Sequence, residues 1–218
     1  MTVKLSMESR SLPLVFDRAF VMLVEGPDDQ EFAVSQISQC GRPDEWQVHS
    51  MGGNATNWKG VLGLVVRSPT FSSGGGSIAV VQDADKNPAT VIKRLKGYFA
   101  GSAPSPVGHG DVTSGGKYRT GLFVFPDGTS MGELEDLLLT AINEPARLAL
   151  AKDYISDVTT RFGSPKKISK AQLQAYLAGT PDFVKWVKDA LKVGNIPASA
   201  PELKPFRDFI KKLQGETP

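Results

Sequence analysis

Eight acidic residues stand in three short stretches where apolar runs give way to polar ones: VEGPDD at 24–29, QDAD at 82–85 and GELED at 132–136. Asp83 and Asp85 close the apolar run IAVVQ with a single alanine between them. Two like charges so near each other cost free energy unless a cation, a ligand or water stands between them. A hard divalent cation such as Mg²⁺ takes oxygen ligands from a few carboxylates and keeps several waters. Such an ion neutralises phosphate and makes a water or hydroxyl nucleophilic. Glu25, Asp83 and Asp85 follow apolar runs directly, and Glu135 lies between Leu134 and a Leu-Leu-Leu run, so it is expected to face inward. The other acids have plainer readings. Asp28 with Glu31, and Ser130 with Glu133, fit helix capping boxes. Asp29 and Asp136 fit the positive end of a helix dipole.

The elements that must position these acids alternate. FVMLVEG (20–26) reads as a strand buried on both faces. DDQEFAVSQISQC follows at helical spacing, then WQVHSMGG (46–53) as a strand and NWKGVLGLVVRS as a helix. SIAVVQDAD (77–85) is the third strand; Asn87 and Pro88 then supply an N-cap and a first-turn proline for a helix with Val91, Ile92, Leu95 and Phe99 on one face. This order predicts an α/β fold with a mainly parallel sheet flanked by helices. Ligands of such sheets bind at the carboxyl ends of the strands, where Glu25, Asp83 and Asp85 would point. Residues 101–120, rich in Gly, Ser and Pro, read as a long mobile loop, a candidate lid. GLFVFP (121–126) is a further strand and SMGELEDLLLTAI (130–142) a further helix. From Lys152 on the pattern is helical with breaks. The expected division is an α/β domain over 1–150 and a basic, mainly helical extension over 151–218, packed on it.

Charge follows the same division. Residues 1–151 carry 13 Lys+Arg against 16 Asp+Glu, and residues 152–218 carry 12 against 7. The basic end reads either as a solvated lysine-rich surface or as a contact for a polyanion. Lys86, Lys93 and Arg94, after the aspartate pair, and Lys117 and Arg119, in the long loop, are candidate phosphate contacts or ordinary surface cations. One cysteine, Cys40, excludes an internal disulfide framework, and with two histidines makes a zinc site a poor expectation. His49 reads as a core or edge histidine, and His109 as a loop residue within reach of the site only if the loop closes. No apolar run approaches the roughly 20 residues that span a bilayer, and no signal peptide is read, so the expectation is a cytoplasmic protein without a membrane partner. There is no phosphate-binding G-x-x-x-x-G-K-[ST] loop, and SSGGGS (72–77) precedes a strand where a dinucleotide fingerprint would follow one.

LVEGPDD followed by VVQDAD resembles the TOPRIM domain of topoisomerases, bacterial primases and OLD-type nucleases, whose signature is Glu-Gly after the first strand and Asp-x-Asp after the third. Glu25 and Gly26 match the first motif, Asp29 its trailing acid, and Asp83 and Asp85 the second. FPDGTSMGELEDLLL resembles the segment of OLD-type and stand-alone TOPRIM proteins that brings in a further acid, here Glu135. The tail is similar to the end of a small, uncharacterised TOPRIM-related family. The motif-bearing part covers about residues 18–142. The resemblance implies a TOPRIM-like fold that binds Mg²⁺ or Mn²⁺ and acts on phosphodiesters of DNA or RNA. It implies that Glu25 serves as general acid/base or metal ligand, that Asp83 and Asp85 hold metal with Asp29 and Glu135 as further ligands, and that Gly26 lets backbone approach closely. The sequence carries no ATPase module, no primase-like or gyrase-like partner domain and no tyrosine motif for topoisomerase chemistry. A second expectation is therefore a non-catalytic metal- and nucleic-acid-binding module that works with a separate partner protein. A phospho-accepting receiver-like domain is a third, weakened because the first strand ends in EGPDD rather than directly in an acid pair.

Overall fold

Alternating inward and outward side chains on six strands set up two cores, one on each face of a single sheet. The computed structural model describes residues 2–7, 14–53 and 57–217. The strands are β1 Lys4–Met7, β2 Phe20–Val24, β3 Trp46–Ser50, β4 Ser77–Asp83, β5 Val112–Gly115 and β6 Tyr118–Phe125. Their order across the sheet is β1-β3-β2-β4-β6-β5, all parallel except β5, which runs antiparallel to β6. The helices are α1 Pro27–Cys40, α2 Trp58–Arg67, α3 Pro69–Ser72, α4 Pro88–Phe99, α5 Leu134–Thr140, α6 Pro145–Phe162, α7 Ile168–Ala178, α8 Val187–Val193 and α9 Lys204–Gln214. None of the described helices is long and apolar enough to cross a membrane.

The continuous apolar runs follow from burial on both faces. In β2, Phe20, Met22 and Val24 enter a core with α1, α5 and α7 to α9, while Val21 and Leu23 enter a second core with α2 and α4. From β2 the chain steps to β3 on one side and then back past β2 to β4 on the other. The strand order reverses at β2, and the crevice outside the carboxyl ends of β2 and β4 is where open α/β sheets bind ligands. Asn87 caps α4 as its sequence predicts: its side chain accepts a hydrogen bond from the Thr90 N–H at 3.0 Å, with Pro88 in the first turn.

The C-terminal helices share the first core. Ser77 Oγ, at the start of β4, donates to the Leu213 carbonyl at 2.6 Å, and Phe209 of α9 packs so closely on β6 that Gly121 has no room for a side chain. A Cβ there would come 2.6 Å from Phe209 Cε2. Gly121→Ala is therefore expected to cost about 1–3 kcal/mol by overpacking, read as a lower denaturant midpoint; an unchanged midpoint would mean that α9 rests only loosely on the sheet. The expected division at 150/151 falls inside α6.

Two strands lie outside the sequence expectation. β1 is a short edge strand paired with β3. β5 lies within the segment read as a mobile lid: residues 112–121 instead form an antiparallel hairpin with β6. The approach to it is tied down as well, because the Tyr118 hydroxyl donates to the Ser102 carbonyl and Thr120 Oγ1 to that of Pro104. The composition signalled turns correctly, but hairpin pairing satisfied the backbone that a lid would leave exposed.

Candidate metal and phosphate site

Four backbone ends converge on one cavity of about 280 Å³, and its walls include Glu25, Asp29, Asp83, Glu133, Glu135 and the two lysines Lys167 and Lys170. Glu25 directly follows β2, and Asp83 is the last residue of β4. Asp29 comes from the first turn of α1, and Glu135 from the first turn of α5. Asp83 Oδ1 accepts the Leu134 N–H at 2.9 Å, which locks the end of β4 to the start of α5. Beyond it, Asp85 pairs with Gly132 through two backbone hydrogen bonds of 2.9 Å. This holds Asp85 at φ 48, the left-handed region that an L side chain rarely adopts. Aspartate tolerates that geometry better than most residues, and such strain collects at functional sites. Asp85→Gly is expected to keep or raise thermal stability, by up to about 1 kcal/mol, while removing one carboxylate from the rim. A large loss of stability would instead make the side chain a structural pin.

Both helices that open on the pocket begin with the same device. Asp29 Oδ2 accepts the Gly26 N–H and Asp136 Oδ2 accepts the Glu133 N–H, each at 2.8 Å. The capping boxes expected from Asp28 with Glu31 and from Ser130 with Glu133 are thus displaced. The helices start at Gly26 and Glu133, so the capping acids are Asp29 and Asp136. Asp28 pairs instead with Lys170 at 3.1 Å, and Ser130 bonds Asp127. At Gly26 the backbone is extended, and a Cβ would sit 3.4 Å from Asp29 Oδ2, an ordinary contact. Packing within the chain therefore does not require glycine there.

The carboxylates are short of positive charge. Burial pushes the Asp83 carboxyl up to about 9, with Asp29, Glu25 and Glu135 adding repulsion against the weak pull of the Leu134 N–H. Burial also pushes Asp29 up to about 7, opposed by the Gly26 N–H. Glu25 is raised by burial and by Asp85, opposed by Lys167, Arg94 and a hydrogen bond from the Asp83 backbone. The countercharges come from the turn before α7 and its first residues. Lys167 is bonded to Glu133 and lies 4.0 Å from Asp85, while Lys170 bridges Asp28 and Glu135, the latter at 3.2 Å. Glu133 holds the Lys167 ammonium above its ordinary value. Burial works against Lys170, but Glu135 and Asp28 outweigh it and raise it as well.

The family described as Protein of unknown function (DUF3226) matches residues 19–215. The chain belongs to this family. No curated protein and no solved structure matches it. The DUF3226 match runs from the residue before β2 through α9, so it contains every wall of the pocket, acids and lysines alike.

Within this DUF3226 chain, Glu25, Asp29, Asp83 and Glu135 come together in one cavity and Asp85 stands beside it on the rim. Lys86 follows Asp85 into the adjoining groove. Lys117 and Arg119 do not belong to this site. Arg119 registers with Ser77, the first residue of β4, and so lies about 20 Å along the strand from Asp83. Pairing of the hairpin holds both residues at the opposite end of β6 from Phe125, the residue that registers with Asp83. His109 is likewise held away: its Nδ1 accepts the Val124 N–H at 3.0 Å and its ring packs on Phe123. Sequence reasoning missed Lys167 and Lys170. The signal was the acidic front and basic back, since a buried acid cluster needs countercharge from some other part of the chain.

Among the described residues, the acids lining the cavity offer carboxylate oxygens, which suit Mg²⁺ or Mn²⁺. Among the described residues, no three His, Cys, Asp or Glu side chains are grouped as they stand to hold a metal ion. A Mg²⁺ site does not require such a cage, because this ion commonly takes one or two carboxylates and completes its shell with water and phosphate. The carboxylates raised by burial and by mutual repulsion are groups that a divalent ion would relieve.

Proposed function

We propose that this chain is a divalent-metal-dependent phosphodiesterase of the TOPRIM kind, a nuclease acting on DNA or RNA. The observation that carries the reading is the meeting of Glu25, Asp83 and Glu135, from three separate elements, in one cavity at the reversal point of the sheet. Asp83, Asp85 and Glu135, with the free oxygen of Asp29, would hold Mg²⁺ or Mn²⁺. When bound, the ion supplies charge neutralisation at phosphate and a lowered pKa for attacking water. Glu25 is placed to accept the proton of that water, since burial and Asp85 raise its basicity. Lys167 and Lys170 offer charge to the non-bridging phosphate oxygens. Gly26, which packing leaves unconstrained, gives the substrate backbone close access.

The lysine pairing favours one second reading. Four carboxylates, those of Asp28, Asp85, Glu133 and Glu135, already have an ammonium within 4.0 Å. A site partly neutralised in this way, by two ammonium groups against four carboxylates, suits a non-catalytic module that binds nucleic acid beside a separate partner protein. Cleavage of supercoiled plasmid and of single-stranded DNA and RNA, with Mg²⁺ or Mn²⁺, separates the two. Wild type is expected to cut, and Glu25→Gln and Asp83→Asn to lose at least about a hundredfold in rate. Equal trace activity in all three would leave the non-catalytic reading.

A further inference from the structure

Beside the acid pocket runs a second, more open groove of about 820 Å³, between the 130–133 turn and the 164–169 turn. The two are continuous, for Glu133 and Lys167 line both. Lys86 stands on one bank and Lys166 on the other, both exposed. Unlike Lys167, neither ammonium is engaged by an acid among the described residues. Two large apolar side chains face the same groove, Met131 at 69% and Ile168 at 46% exposure. Single exposed apolar residues are ordinary, but here two share one channel with two unspent cations, and the channel leads to carboxylates that suit metal-assisted attack on a phosphodiester.

We infer that this groove binds an unpaired nucleic-acid strand and leads it into the acid pocket, an inference that rests on the phosphodiesterase reading. The charge on Lys86 and Lys166 complements phosphates spaced along a backbone. Met131 and Ile168 present surface of the kind that other proteins lay against exposed base faces. A duplex offers such side chains a base face only after a step is unstacked, at about a few kcal/mol per step, whereas an unpaired strand offers it at once. Asp85, Glu133 and Asp136 also line the groove, and with the acids at its end they repel a polyanion, so Lys86, Lys166 and the apolar contacts must supply the binding. An acidic peptide would use the lysines but has no flat faces for the apolar pair.

Fluorescence anisotropy tests this with labelled oligothymidylate, oligouridylate and a hairpin duplex on the full chain in EDTA. Both single strands are expected to bind more tightly than the duplex, and their ratio separates DNA from RNA as the source. The double variant Lys86→Glu, Lys166→Glu should weaken single-strand binding about tenfold or more, and should flatten the slope of log K against log salt by about 1.4 if each lysine meets one phosphate. Met131→Ser with Ile168→Ser should weaken single strands several-fold and leave the duplex unchanged. Melting temperatures check that these surface variants are folded. Unchanged binding in the charge-reversed variant, a duplex bound as tightly as a single strand, or displacement by polyglutamate at matching charge concentration would each overturn the inference. Hydrolysis of bis(para-nitrophenyl) phosphate with Mn²⁺ needs the acid pocket alone. If wild type hydrolyses it, Asp83→Asn does not, and the oligonucleotide results fail, only the groove falls. If strands bind as expected and no hydrolysis occurs, the groove stands and the phosphodiesterase reading falls.

Discussion

Asp83→Asn is expected to melt at a higher temperature than wild type in metal-free buffer at pH 8, and the gain should vanish as pH falls toward 4. Asp83 sits at the end of a buried strand with Asp29, Glu25 and Glu135 around it, and its carboxyl is pushed up to about 9. In the unfolded chain the same carboxyl titrates near its ordinary value of about 4. Below that, both states are protonated and the acid costs nothing. As pH rises from about 4 toward 9, the unfolded chain releases its proton while the folded chain retains it, so stability is lost across that window. Asparagine keeps the acceptor for the Leu134 N–H at Oδ1 but has no charge to suppress. A gain on the order of 1 kcal/mol at pH 8 is expected, the usual sign of a functional group held at the expense of stability. Saturating Mg²⁺ should reverse the order, because an ion that binds only the folded wild type stabilises it by mass action. Thermal melts at several pH values, with and without Mg²⁺, give all of this. A wild type that becomes more stable than the variant between pH 5 and 8 without metal would refute the account.

The same residues explain why the sequence was legible in some places and opaque in others. Glu25 and Asp83 could be read because strand period, burial and topology act together: an apolar run buried on both faces must end at the sheet's carboxyl edge. Asn87 and Pro88 could be read because capping is local chemistry, settled within three residues. Asp28 and Asp29 were harder, since either could cap α1. Placing Gly26 in the cap position moved the box by two residues and turned Asp28 toward Lys170. Lys167 and Lys170 lie more than thirty residues beyond the acids they meet, and no local pattern marks an ion pair closed by the packing of α5 on α7. Segment 101–120 failed for a related reason. Its Gly and Ser content signals turns, and only pairing with β6 distinguishes an edge hairpin from a loop.

Those two lysines lead to the second large effect. Lys170→Ala is expected to destabilise the metal-free protein by about 1–3 kcal/mol. Glu135 has 8% of its side chain exposed and Lys170 has 47%. Removing one partner of a fully buried pair typically costs about 3–5 kcal/mol, because the remaining charge is left uncompensated. Lys170 is half in solvent, so water recovers part of that. The variant should be the more responsive to Mg²⁺, since a divalent ion can take the place of the lost ammonium beside Glu135. Adding Glu135→Gln should recover most of the loss, and the double-mutant cycle then isolates the pair from any effect of Lys170 on Asp28. Lys167→Ala should cost a similar amount, because the exposures nearly match, 51% for the Lys167 side chain and 10% for that of Glu133. If Lys170→Ala melts like wild type and Mg²⁺ shifts both equally, the lysine is a surface charge with no hold on the pocket. If instead the variant is destabilised and recovers with Mg²⁺, ammonium and metal exchange at the same carboxylates, and the start of α7 must shift when the ion enters.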